Sequence, residues 1–262
     1  MDLARVFMEF LPNTMLFRNN FVYKIIKRYM DSKKVQTVEG VLSETKGIQS
    51  LIQITKTLGI LPVVFNKKEN YRNDSEPLII VSNHPLGITD TLALISLFSE
   101  LGTKFKIVGT QFFQVFLGDD ELLIPLDMSN MRNNSNTLRK SIKHLKGNGV
   151  LFIYPAGMVS GFNGRKVVDK EWHSTFVNLA LKTGAKVLPL KIDAINSWKY
   201  YVIRFVLPRD FAAFFHFPET LNSVPCVVPI KMGSPINVQA LKEDGRTTRE
   251  IANFIKQIVY KL

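Results

Sequence analysis

From Leu61 onward, short apolar runs of strand length alternate with stretches whose apolar residues recur at helical spacing, which restricts the chain to the α/β class. Strands are expected near Val63–Phe65, Leu78–Val81, Phe105–Val108, Leu122–Pro125, Val150–Tyr154, Val187–Ile192 and Val227–Lys231. Helices are expected near Thr89–Glu100, Ser135–Lys146, Trp172–Thr183 and Thr247–Leu262. A chain of 262 residues has enough apolar material for one core. The expected architecture is a single domain with a mixed, largely parallel sheet flanked by helices and preceded by N-terminal amphipathic helices. Residues 1–60 form that helical region, and residues 61–262 form the α/β unit. Gly147-Asn148-Gly149 turns the chain between a helix and a strand and lacks the third glycine of a dinucleotide fingerprint.

In the helical region Phe21, Val22, Ile25, Ile26, Tyr29 and Met30 share one face, while Lys24, Lys27 and Arg28 occupy the other. Such a basic amphipathic helix serves equally well packed on the domain or lying on a membrane surface. The formal net charge of +12, with 19 Phe and 46% hydrophobic residues, suits an anionic lipid surface. No zinc-finger spacing, aromatic RNA-binding signature or base-reading basic helix points to nucleic acid. The aromatic segment Tyr200–Phe217, with Phe205, Phe211, Phe214, Phe215 and Phe217 interrupted by Arg204, Arg209 and Asp210, fits an interface or a core better than a membrane span. No run of eighteen uninterrupted apolar residues exists, and Asp2, Arg5 and Glu9 do not read as a secretory signal. The expected location is the cytoplasmic face of a membrane, attached peripherally. Cys226, the only cysteine, lies in the apolar run Val224–Ile230 and is expected to be a buried core thiol without disulfide or metal partners.

The chemistry concentrates at Leu78–Asp90, where an apolar strand ends in Asn83-His84-Pro85-Leu86-Gly87 and Asp90 follows in the first turn of a helix. A carboxylate there suits the helix dipole and fixes the tautomer of His84, leaving the other ring nitrogen free to take a proton. On spacing alone, a turn closed by Asn83 and His84 with Thr89 or Asp90 as a helix cap explains the segment equally well. A second loop, Pro155-Ala156-Gly157-Met158-Val159-Ser160-Gly161, follows the strand at Val150–Tyr154, and the two loops meet if their strands are neighbours. Gly157-Met158-Val159-Ser160-Gly161 lacks the Gly-x-Ser-x-Gly spacing of a serine nucleophile elbow.

Asn83-His84 followed after five residues by Asp90 resembles the signature block of the lysophosphatidic-acid acyltransferase-like glycerolipid acyltransferases. The spacing is that of their hemolysin-like, aminolipid-synthesising branch. Tyr154-Pro155-Ala156-Gly157-Met158-Val159-Ser160 is similar to that branch's Phe-Pro-Ala-Gly-Glu-Val-Ser block. Asp169, Trp172, Phe176, Leu179, Ala180, Gly184-Ala185 and Val187-Leu188-Pro189-Leu190 also match, so the likeness covers about residues 76–205. It implies an O-acyltransferase that moves a fatty acyl group from a thioester, on coenzyme A or acyl carrier protein, to a lyso-lipid hydroxyl. No cofactor or metal is implied. His84 would be the base and Asp90 its orienting partner, with Asn83, Gly87, Pro155, Gly157 and Ser160 as candidates for substrate or oxyanion contact. Backbone amides near Gly157 are the oxyanion candidates.

Two departures bear on the acceptor. Where the phosphatidate-forming enzymes carry arginines, this chain has Met128, after Ile124-Pro125-Leu126-Asp127, and Val159, and it has Ala156 in place of their glutamate. Loss of two guanidinium forks removes a bidentate phosphate grip, which favours a lyso-lipid without a phosphate monoester, such as an acylated amino acid bearing a hydroxyl. Arg132, Arg165 and Lys166 stand either as replacement ligands or as surface charges. Met158 replaces the branch's glutamate. A catalytically idle lipid-binding protein and a thioester hydrolase remain as alternatives.

Overall fold

The computed structural model describes residues 2–3, 23–24, 27–28, 32–66, 76–100, 105–110, 113–117, 122–126, 134–206 and 216–262. Helices α1 (Lys33–Glu44) and α2 (Ile48–Thr57) lead into β1 (Ile60–Phe65), β2 (Leu78–Ser82) and α3 (Ile88–Glu100). β3 (Phe105–Thr110), α4 (Gln114–Leu117), β4 (Leu123–Leu126), α5 (Ser135–Lys146) and β5 (Val150–Ile153) follow. A small hairpin, β6 (Gly161–Phe162) and β7 (Val167–Val168), precedes α6 (Thr175–Thr183), β8 (Lys186–Ile192) and α7 (Trp198–Val206). The chain continues through α8 (His216–Ser223), β9 (Cys226–Met232), α9 (Val238–Glu243) and α10 (Thr248–Lys261).

The main sheet has seven strands in the order β1-β9-β8-β2-β5-β3-β4. Every pairing is parallel except β8 with β9. This is the expected mixed, largely parallel α/β sheet. β2 lies in its middle and is buried along its whole length, which is why it reads as a continuous apolar run rather than an alternation. Successive β2 side chains still divide by the period of two. Leu78 and Ile80 join a core with Val35 and Val38 of α1, Leu51 and Ile54 of α2 and Leu92 and Phe98 of α3. Ile79 and Val81 join the opposite core with Leu145 of α5, Phe176 of α6 and Ile251, Ile255 and Val259 of α10. Covering both faces in this way makes β2 a rigid support for the loop that leaves it.

The expected helix over Trp172–Thr183 begins only at Thr175. Trp172 is held outside it by a 2.8 Å bond from its indole N–H to Asp169 Oδ2, and the His173 amide donates to the Pro155 carbonyl at 3.0 Å. The β6–β7 hairpin, α4, α7, α8 and α9 are elements beyond those the sequence pattern predicts. Cys226 corrects another expectation: it starts β9 only half-buried, with neighbouring Val227 exposed. Burial pushes its thiol pKa up.

In the N-terminal region Tyr23, Lys24, Lys27 and Arg28 are helical, with the three cations exposed and Tyr23 packed against the core. Phe21, Val22, Ile25, Ile26, Tyr29 and Met30 lie outside the described residues, as do Arg132, Met128, Arg209, Asp210, Phe211, Phe214 and Phe215 and the side chain of Phe217. Among the described residues no helix is long and apolar enough to cross a membrane.

Candidate active site

β2 and β5 are adjacent and parallel, with Val81 opposite Ile153, so the loops that follow them leave the same end of the sheet side by side. The Ser160 amide donates to the His84 carbonyl at 2.8 Å and joins the two loops directly. His84 Nδ1 lies 3.0 Å from Asp90 Oδ2. The same oxygen accepts the Leu86 amide at 2.8 Å and the Gly87 amide at 3.2 Å. With two backbone donors already on it, an ionised Oδ2 takes its third hydrogen from Nδ1–H, and Nε2 is left as the acceptor. Gly87 has φ of 70°, the left-handed conformation that lets the loop turn its amide onto the carboxylate.

The His84 side chain keeps 16% of its surface accessible and Asp90 keeps none. The imidazole is therefore partly buried. Burial pushes the Asp90 carboxyl above the usual carboxylate range, while His84 and the two amides pull it back. Its Oδ1 is buried and makes no hydrogen bond among the described residues.

Tyr154, the residue after β5, stacks on the imidazole with ring centroids 3.7 Å apart and planes at 21°. Phe152 meets Tyr154 edge-on, with ring centroids 4.7 Å apart. Burial, then the Asp90 charge, push the Tyr154 phenol well above its ordinary pKa, and its hydroxyl is 3.4 Å from Thr91 Oγ1. In the sequence Tyr154 stands out only as the first residue of the Tyr154–Ser160 block.

The remaining site candidates hold the loops. Asn83 is buried and bridges to β8, donating to the Ile192 carbonyl at 2.9 Å and accepting the Ile192 amide at 2.8 Å. Pro155 is buried, its carbonyl occupied by His173. Gly157, at φ 62°, donates its amide to the Tyr154 carbonyl at 3.0 Å. That amide is paired within the turn. Ser160 is buried and donates to Asp169 Oδ1 at 2.5 Å. Arg165 and Lys166 sit on the exposed turn of the β6–β7 hairpin, their amides bonded to Asn163 Oδ1.

Behind these loops is a support built on Asp169, Arg204 and Asn196. Asp169 accepts from Ser160 and Trp172, and its amide donates to the Tyr260 hydroxyl of α10 at 2.7 Å. Arg204 of α7 donates to the Val159 and Ser160 carbonyls, each at 2.7 Å. Asn196, just before α7, donates to the Pro85 carbonyl at 2.8 Å. An apolar hollow lies beside the helix that carries Asp90, lined by Leu51, Ile54, Leu58, Ile88, Leu92 and Phe116 among others. Among the described residues no cluster of His, Cys, Asp and Glu is placed to hold a metal.

The arrangement can remove a proton from a hydroxyl at the carboxyl ends of β2 and β5. The chain is 26% identical over 188 residues to a lyso-glycine lipid O-acyltransferase of Phocaeicola vulgatus, covering 70% of this chain and 67% of the relative. It is 24% identical over 189 residues to the enzyme of the same description from Bacteroides thetaiotaomicron, covering 70% and 68%. A solved structure, the 1-acyl-sn-glycerophosphate acyltransferase PlsC from Thermotoga maritima, is similar at 17% identity and a TM-score of 0.49, over 99% of this chain and 94% of that one. An acyltransferase family model matches residues 5–262, nearly the whole sequence, and on that match the protein belongs to the acyltransferase family.

Proposed function

We propose that this acyltransferase moves a fatty acyl group from an acyl thioester, on coenzyme A or acyl carrier protein, to a free hydroxyl of a lyso-lipid. The reading is carried by the 3.0 Å contact between His84 Nδ1 and Asp90 Oδ2 in a chain of this family. Nε2 takes the hydroxyl proton as the oxygen attacks the thioester carbonyl, and Asp90 stabilises the imidazolium that forms. Collapse of the tetrahedral intermediate breaks the C–S bond, leaves the new ester and returns the proton to the departing thiolate. No covalent enzyme intermediate is needed, in keeping with a Ser160 hydroxyl committed to Asp169.

The acceptor is a lyso-aminolipid in preference to lysophosphatidic acid. Met128 and Val159 in place of arginines support this, as do the two relatives described as lyso-glycine lipid acyltransferases. Arg165 and Lys166 stand on a solvent-exposed turn, which leaves them poorly suited to replace the missing grip. The reaction takes place at the cytoplasmic face of a membrane, to which the cationic chain attaches peripherally. Incubating the purified protein with a labelled acyl thioester, with and without a lyso-lipid panel, tests the reading. Labelled acyl-lipid is the expected product; free acid alone would make the protein a hydrolase, and no product would make it a binding protein.

A further inference from the structure

α7 has two unlike faces. Tyr200 is buried on its inner side, and Arg204 reaches the loop carbonyls of Val159 and Ser160. On the outer side Trp198 is 70% exposed, Phe205 92% and Val206 70%, with Val202 between them. At helical periodicity these four residues fall within about 100° of the circumference, a continuous apolar stripe rather than scattered exposure. The β6–β7 hairpin extends it: Phe162 is 58% exposed, and a methyl on neighbouring Gly161 would lie 3.5 Å from the Arg204 guanidinium. Lys199 on the helix and Arg165 and Lys166 on the hairpin turn are exposed and give the apolar surface a cationic margin. Both site loops hang from this element, one through Asn196 to Pro85 and the other through Arg204.

We propose that the outer face of α7, with Phe162 beside it, is a lipid-docking surface that seats in the interfacial layer of an anionic bilayer. The choice of occupant follows from charge: a second copy of a chain with net charge +12 would bring like charge to the cationic margin, whereas anionic headgroups complement it. A tryptophan at the edge of an apolar stripe suits the headgroup boundary. Docking here sets the His84 and Gly157 loops at the lipid surface. The inference rests on the lyso-lipid reading above and assigns the element through which the protein meets that lipid.

Tryptophan emission of the full chain is followed as vesicles of phosphatidylcholine, with or without phosphatidylglycerol, are added at low and high salt. Trp172 is fully buried, so Trp198→Phe removes the responding fluorophore. The expected result is a blue shift with phosphatidylglycerol vesicles that is quenched by shallow brominated lipid, weakened by salt and absent in Trp198→Phe. Phe205→Glu should lower vesicle affinity about tenfold or more. Val202→Glu provides a second variant, with circular dichroism confirming that each is folded. Absence of vesicle binding, bound protein with unshifted Trp198 emission, or folded variants that bind like wild type would overturn the proposal. So would a shift that grows with protein concentration in the absence of vesicles, which would assign the face to a second copy. Failure of the wild type to transfer acyl groups would refute the enzymatic reading and leave these lipid readouts standing.

Discussion

Asp90→Asn separates the two things the carboxylate does for His84. The amide oxygen can still accept from Nδ1–H and from the Leu86 and Gly87 amides now bonded to Oδ2, so the ring stays oriented. The substitution removes the negative charge that stabilises the imidazolium. With charge centres about 4 Å apart and an effective dielectric near 20, that interaction is worth about 4 kcal/mol. The expected loss is about three orders of magnitude in kcat with a small change in KM, because the charge matters only once the proton has moved. His84→Ala should cost more, since it removes the base itself. Single-turnover transfer from a labelled acyl thioester to a lyso-lipid, on variants shown to be folded by circular dichroism, measures both. A folded Asp90→Asn enzyme within tenfold of wild-type kcat, or a His84→Ala enzyme at the wild-type rate, would refute the assignment.

Because burial raises the Asp90 pKa, the folded state holds its proton more tightly than the unfolded chain does. The favourable contribution is fully present below the unfolded pKa and lost as pH rises through the folded one, so Asp90→Asn should gain stability relative to wild type as pH rises, read from paired thermal melts. Ser160→Ala should keep kcat within about tenfold while lowering stability by about 1.5–3 kcal/mol, the worth of a hydrogen bond to a carboxylate, measured in urea. Tyr154→Phe keeps the stack on His84 and loses only a long hydroxyl contact, so it should change stability by less than about 1 kcal/mol; Tyr154→Ala should cost about 3 kcal/mol and slow transfer. Specificity constants should favour a hydroxylated lyso-aminolipid over lysophosphatidic acid, and the reverse order would refute the argument from Met128 and Val159.

The elements legible in the sequence are those whose burial pattern is complete over several residues. β2, β5 and β8 are covered on both faces and appear as apolar runs, Leu78–Val81, Val150–Ile153 and Val187–Leu190, while α5 spans the expected Ser135–Lys146. Short α7, α8 and α9 carry too few periodic positions to register separately. In α7 the exposed stripe is itself apolar, so the usual contrast between an apolar inner face and a polar outer one is missing. Trp172 misled in a similar way: its large apolar ring suggested a helical position, but its indole N–H serves the Asp169 carboxylate in the preceding loop.

At the site, the His84–Asp90 pair was legible because both partners lie on one short strand-turn-helix segment, where spacing fixes geometry. The supports that keep that geometry are remote in sequence. Arg204 reaches Val159 and Ser160 across more than forty residues, and Asn83 meets Ile192 across more than a hundred. No local periodicity encodes such a contact; it exists only once β8 has taken its place beside β2 and α7 follows from its end. The same distinction applies to Asn83 and Ser160, whose internal bonds no local pattern encodes. A polar residue in a glycine-rich loop looks alike from sequence whether it faces a ligand or a buried backbone group. Here Ser160 meets Asp169 and Asn83 meets the β8 backbone, so the polarity of both side chains ties the two loops to the elements behind them.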